Sequence, residues 1–165
     1  MPNYSNPVKI IHTSNWLNEL KFSQKNLGIT NPILVTSPGN RRRLQLESQF
    51  SSGSIFSEIR ENPNFYDCDS VIKYCSEKNF DGVIALGGGS VMDLAKVVLA
   101  YLSTGETDII DLLEYKGNYE KSIPSIFLPT TNGTGSEVTM WGTIWNMSKK
   151  RNILFHIWIY TQRLQ

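Results

Sequence analysis

The sequence has 165 residues, 40% of them apolar and 19% charged, with a net charge of +1. That is enough chain for one globular domain with a sizeable core, and its charge balance gives no global field that would draw nucleic acid or an anionic membrane. No apolar run approaches the ~18–20 residues of a membrane span, and the first seven residues, Met1 to Pro7, lack the basic stretch and apolar core of a secretory signal. The expected compartment is therefore the cytoplasm. Cys68 and Cys75 have no CxxC partner and read as reduced thiols. The two histidines, His12 and His156, lie too far apart in sequence to suggest a zinc site.

In chain order, Val8 to His12 reads as a strand and Asn15 to Lys25 as a helix that stops near Gly28. Pro32 to Thr36 is a continuous apolar run suited to a strand covered on both faces. Ser37-Pro38-Gly39-Asn40 reads as a turn, and Arg41 to Phe50 as the following helix. Its opening triplet Arg41-Arg42-Arg43 is, taken alone, a solvated helix face. Ile55 to Ile59 reads as a third strand, closed by Glu61-Asn62-Pro63-Asn64, where Pro63 disfavours helix at Asn62. Asp67 to Lys78 has helical spacing at Val71, Ile72 and Cys75, and Gly82 to Leu86 is a second run fit for a doubly covered strand.

From Ser90 the period changes. Val91, Leu94, Ala95, Val98, Leu99 and Leu102 fall on one helical stripe. Ser90 is expected as its N-cap, with Asp93 completing a capping-box variant and Gly105 at the far end. Ile123 to Leu128 reads as a strand, and Val138 to Trp145 as one more. This alternation of short β-branched runs with longer amphipathic ones predicts an open, mostly parallel α/β sheet with flanking helices.

Two turns carry the chemistry. In the first, Gly87-Gly88-Gly89-Ser90 joins a buried strand to a helix. Successive glycines let an anion approach the main chain, and a new helix presents unpaired N–H groups at the same point. That suits a diphosphate, although the motif is not the GxGxxG of the ordinary dinucleotide fold. A tight turn with no ligand is the bland alternative. The second turn crowds Thr130, Thr131, Thr134 and Ser136 with Gly133 and Gly135 after another strand. Its hydroxyls and amides could bond ribose, amide or phosphate oxygens, or the segment could be a plain polar loop. Ligands collect at this edge of open α/β sheets, so two such turns favour one shared site.

Gly87 to Lys96 resembles the GGGSxxDxAK signature of the iron-containing (group III) alcohol dehydrogenases, and Pro129 to Thr139 resembles that family's PTTxGTGSEVT segment. Glu61-Asn62-Pro63 is similar to its NP turn, and the likeness runs from about Val8 to Arg151. The resemblance implies a two-domain, dehydroquinate synthase-like enzyme that interconverts alcohols and aldehydes with NAD or NADP, of which this chain is the dinucleotide-binding half. It further implies that Gly88, Gly89 and Ser90 contact the diphosphate, with Gly87 among the cofactor-binding residues. Thr130, Thr131, Thr134 and Thr139 would line the nicotinamide and ribose, and Asn62 would sit near the adenosine. Asp93 is either a cofactor contact or only the capping partner. Trp141 to Trp145 looks most like the phosphonoacetaldehyde reductase branch.

The resemblance also implies an Fe²⁺ or other divalent ion held by one Asp and three His of a helical domain. None of those ligands is found in this sequence, so no metal site is expected in this chain. Where many family members place an aspartate that selects NAD, this sequence has Ser37, followed by the arginine triplet. That pattern implies a slight preference for NADP. Residues 151–165 read as an aberrant tail after the 1–150 domain, since Asn152 to Tyr160 has no evident family counterpart. Codons can be chosen for them so that a shifted frame resembles the family's continuation, which points to a frameshift near Arg151. The expected partners are a small alcohol or aldehyde, with a family-like homodimer or self-association through uncovered apolar surface. A glycerol dehydrogenase-like relative, a stand-alone nucleotide-binding module and an inactive remnant remain the alternatives.

Overall fold

A computed structural model describes residues 8–115, 121–147, 151–157 and 161–164. Met1 to Pro7 and the tail residues Trp158 to Tyr160 lie outside the described residues. The strands are β1 (Lys9–Ile11), β2 (Pro32–Thr36), β3 (Ile55–Phe56), β4 (Gly82–Gly87), β5 (Ser125–Pro129), β6 (Trp141–Asn146), β7 (Arg151–His156) and β8 (Thr161–Leu164). The helices are α1 (Trp16–Asn26), α2 (Pro38–Arg43), α3 (Phe65–Ser76), α4 (Gly89–Thr104) and α5 (Ile109–Leu113). Six strands form one sheet in the order β1-β8-β5-β4-β2-β3, every described pair parallel, and β6 and β7 form a separate antiparallel pair.

The central strands read as unbroken apolar runs because both faces of the sheet are covered. Ile33, Val35, Val83, Ala85 and Phe127 pack with Val71 of α3, Leu94 of α4, Leu112 of α5, and Ile144 and Phe155 of the β6–β7 pair. Leu34, Ile84, Leu86, Ile126 and Leu128 pack on the other face with Leu20 of α1 and Leu46. The chain moves from β2 outward to β3, returns to β4 on the other flank of β2, and continues to β5. That reversal opens a crevice at the carboxyl ends of β2 and β4, where ligands of open α/β sheets bind.

Several boundaries differ from the sequence reading. The expected helix Arg41 to Phe50 begins earlier, because Ser37 caps α2 by accepting from the Asn40 N–H at 3.2 Å and Pro38 opens it. It stops before Gln45, whose φ of 47° is left-handed, and a 3₁₀ turn follows over Leu46–Ser48. The strand expected over Ile55 to Ile59 shrinks to two residues, which pair with Leu34 and Val35 at the sheet edge. Helix α3 starts at Phe65 because Asn64 and Asp67 form a capping box, the Asn64 N–H donating to Asp67 Oδ2 at 2.9 Å. The strand expected from Val138 begins at Trp141, after a 3₁₀ turn at Ser136–Val138.

Ser90 is not the N-cap of α4. Gly88 holds that place, extended and without a side-chain bond, and its carbonyl accepts from the N–H groups of Val91 and Met92. Gly105, at φ 74°, ends the helix as expected. Within the segment set apart as a tail, Arg151–His156 pairs with all of β6, and Thr161–Leu164 lies between β1 and β5.

Candidate functional site

The two glycine-rich turns meet at the carboxyl edge of the sheet. Gly87 and Pro129 are register partners on β4 and β5, and the Thr130 N–H donates to the Gly87 carbonyl at 2.9 Å. A Cβ on Gly88 would lie 3.1 Å from Thr131 Oγ1, and one on Gly89 would lie 3.0 Å from Thr134 Oγ1. A Cβ on Gly87 would come within 2.5 Å of Val91, so this glycine serves the packing of α4 on β4. Thr130, Thr131 and Thr134 are exposed, and Gly88 to Ser90 are half-buried beneath them. No side chain caps α4. Its first-turn amides therefore point at the same edge with the positive end of a 16-residue helix behind them.

Asn62 joins this group. Its backbone is left-handed at φ 55°, and its N–H donates to Ser90 Oγ at 3.2 Å. Ser37 stands at the end of β2, next to β4. Two bonds to the Leu86 carbonyl hold this corner, from Thr36 Oγ1 at 2.8 Å and from Asn40 Nδ2 at 3.4 Å. Of the arginines that follow, Arg41 is committed within its own corner. It donates to Glu47 at 2.7 Å and to Ser57 Oγ at 3.0 Å, and its bond holds the Glu47 carboxyl below its usual value. Arg43 donates to Asn40 Oδ1 at 3.0 Å.

Asp93 is no capping partner. Its Oδ1 accepts from Ser136 Oγ at 2.6 Å and lies 3.8 Å from Lys96 Nζ. Lys96 in turn donates to Ser136 Oγ at 2.6 Å, to Thr139 Oγ1 at 3.4 Å and to the Trp141 carbonyl. Thr139, itself exposed, meets this network through its bond from Lys96. Burial is the main cause that pushes the Lys96 ammonium down to about 8, against the opposing pull of Asp93 and Glu137. In the sequence Lys96 stood only as the last residue of the glycine-rich signature and Ser136 only as one hydroxyl of the second turn, and nothing there paired the two. The signal was there: Lys96 is the one cation in a stretch, Val91 to Ala100, that is otherwise apolar apart from Asp93, and such a helix is covered on all sides.

Among the described residues, no three His, Cys, Asp or Glu side chains converge on a point that could hold a metal ion, and no helix is long and apolar enough to cross a membrane.

A model of the iron-containing alcohol dehydrogenase family matches residues 7–158. A 4-hydroxybutyrate dehydrogenase of Cupriavidus necator is 34% identical over 148 residues, which are 84% of this chain and 38% of that protein. Among solved structures, a sulfoacetaldehyde reductase of Bifidobacterium kashiwanohense in complex with NAD+ superposes with a TM-score of 0.83 at 25% identity. The match covers 99% of this chain and 46% of that one. An iron-containing alcohol dehydrogenase of Thermotoga maritima gives 0.74 at 26% identity, over 99% and 47% of the two chains. The chain thus spans less than half the length of these relatives. The matched family model, the parallel sheet and the paired glycine-rich turns place the chain in the iron-containing alcohol dehydrogenase family.

Proposed function

We propose that this chain binds a nicotinamide dinucleotide at the carboxyl edge of its sheet and presents it for hydride exchange between a small alcohol and its aldehyde. The observation that carries the reading is the close approach of Gly88 and Gly89 to Thr131 and Thr134 at the uncapped start of α4. The amides of Gly88 to Ser90 take the diphosphate, Thr130, Thr131 and Thr134 the ribose and nicotinamide side, and Asn62 the adenosine side. Thr139 and Asp93 act from below the loop. The related sulfoacetaldehyde reductase, solved with NAD+, supports the choice of ligand. Hydride transfer is the chemistry of the cofactor, and the protein's part is to bind and orient it.

The family's metal would polarise the carbonyl oxygen. The described residues offer it no ligand set. We expect the 165 residues alone to bind the dinucleotide without turning over alcohol. Calorimetric titration with NADH tests the site: wild type should give saturable heat and Gly89→Asp none, because the new carboxylate occupies the diphosphate position. Equal heats for the two proteins would remove the assignment.

A preference for NADP over NAD is a second, finer reading. It is supported by a hydroxyl, not a carboxylate, at the end of β2, and by the fact that the cap bond uses Ser37 Oγ only as an acceptor. The proton of that hydroxyl can be donated to a 2′-phosphate. Exposed Trp141, Trp145, Met147 and Leu154 on and beside the β6–β7 pair support self-association, as a homodimer or less regularly. Sedimentation at several concentrations checks this.

A further inference from the structure

We infer that Lys96 is a positioning residue of the dinucleotide site: from inside the fold it pins the loop between β5 and β6 to α4, and so holds Thr131 and Thr134 against Gly88 and Gly89. This rests on the reading of that loop as a dinucleotide contact.

The loop has little to fix it. Thr130, Thr131, Asn132, Gly133 and Thr134 are all exposed, so the segment has no core of its own. Its start is tied by the Thr130 N–H to Gly87. Its far end is tied by Lys96, which is fully buried and reaches Ser136, Thr139 and the Trp141 carbonyl. An ammonium has three N–H donors and no acceptor, and all three acceptors here belong to the loop or the strand it enters. Ser136 Oγ accepts from Lys96 and donates to Asp93, so loop and helix are joined twice through one hydroxyl. The stem of Lys96 fits beside Gly142, where a Cβ would lie 3.5 Å from Lys96 Cδ.

Stability does not explain a lysine here. Removing a cation from water is costly, and buried ion pairs are often no more stable than apolar residues of similar size. Methionine could fill much the same space. What methionine cannot do is choose the loop's register, since only a directional donor selects Ser136, Thr139 and Trp141 together. Fixing register at the expense of stability is the best-attested use of a buried polar group.

Hydrogen exchange on wild type, Lys96→Met and Ser136→Ala, with NADH titrations on the same proteins, tests the inference. The reporters are the amides of Thr130, Ser136, Val138 and Thr139, each hydrogen bonded within the site. In Lys96→Met their protection should fall at least ~10-fold, with the β4 and α4 amides and the denaturation midpoint held or improved. NADH affinity should fall by at least ~10-fold alongside. Ser136→Ala should show the same pattern more weakly, and it decides the matter if Lys96→Met does not fold. Unchanged loop protection in the folded variants, or a loss spread evenly over α4 and β4, would overturn the inference. If wild type binds no NADH, the proposed function fails, while the exchange result still decides whether Lys96 pins the loop.

Discussion

The backbone N–H of Asn62 donates to the side chain of Ser90, joining the turn after β3 to the first turn of α4 across 28 residues of sequence. The bond uses Ser90 Oγ as acceptor, so its proton is left to donate toward a phosphate oxygen. Ser90→Ala removes both contacts. It should weaken NADH binding several-fold while costing about 1 kcal/mol of stability, the usual worth of one hydrogen bond. Asn62→Ala should cost about 1–2 kcal/mol, because alanine lacks asparagine's tolerance of the left-handed region, and Asn62→Gly should be milder. Chemical denaturation and titration of the three variants separate these effects.

Ser37→Asp tests the discrimination between cofactors without disturbing the local fold. Aspartate caps helices about as well as serine, so α2 should persist. The added carboxylate repels a 2′-phosphate. The ratio of NADPH to NADH affinity should move toward NADH by at least ~10-fold, about 1.4 kcal/mol. A wild type that already favours NADH, or an unchanged ratio, removes Ser37 from the 2′-phosphate pocket.

Gly142→Ala probes the β6–β7 pair. The new methyl would stand 2.6 Å from the ring of Phe155, a fully covered residue of β7. The ring must move, and overpacking of this kind costs about 1–3 kcal/mol. Unfolding should shift accordingly, and Phe155→Leu in the same chain should recover part of the loss. A neutral Gly142→Ala would mean that residues 151–157 do not pack on β6 in solution.

The pH dependence of stability carries the signature of Lys96. Burial holds its ammonium at about 8, below the usual 10.5. Between those values the unfolded chain keeps a proton that the folded chain has released, so this residue adds stability as pH rises from about 8. Below that its burial is a full cost. Burial of Cys75 works the other way, pushing its thiol up to about 12 and costing stability at alkaline pH. Comparison with Lys96→Met cancels that background. Wild type should gain on the order of 1–2 kcal/mol over the variant between pH about 8 and about 10. A difference that is flat or falls with pH would contradict the burial of Lys96.

The parallel sheet was legible because its central strands are covered on both faces and so appear as unbroken apolar runs, as Pro32–Thr36 and Gly82–Gly87 do. Both glycine-rich turns were legible because few other needs call for so many glycines and threonines at strand ends. Caps were harder to read. Ser90 has the right chemistry for an N-cap, yet Gly88 holds that place, and the Ser90 hydroxyl is engaged by Asn62 from a distant segment. Lys96 was visible as part of the signature, but its role was not, because its partners are set by tertiary contact, 40 or more residues away, apart from Asp93. The strands at Arg151–His156 and Thr161–Leu164 were hidden by a different cause. Their partners β6, β1 and β5 are known only once the sheet order is known.

A nicotinamide dinucleotide bound where the two glycine-rich turns meet would perturb the backbone amides there. The most direct measurement is an amide chemical-shift map of the isotopically labelled full chain titrated with NADH. Saturable shifts should concentrate at Gly88, Gly89, Ser90, Thr131 and Thr134 and extend to Asn62, with α1 and the β1 edge undisturbed. Saturable shifts that avoid both glycine-rich turns, or no shifts from a folded chain at millimolar NADH, would contradict that placement.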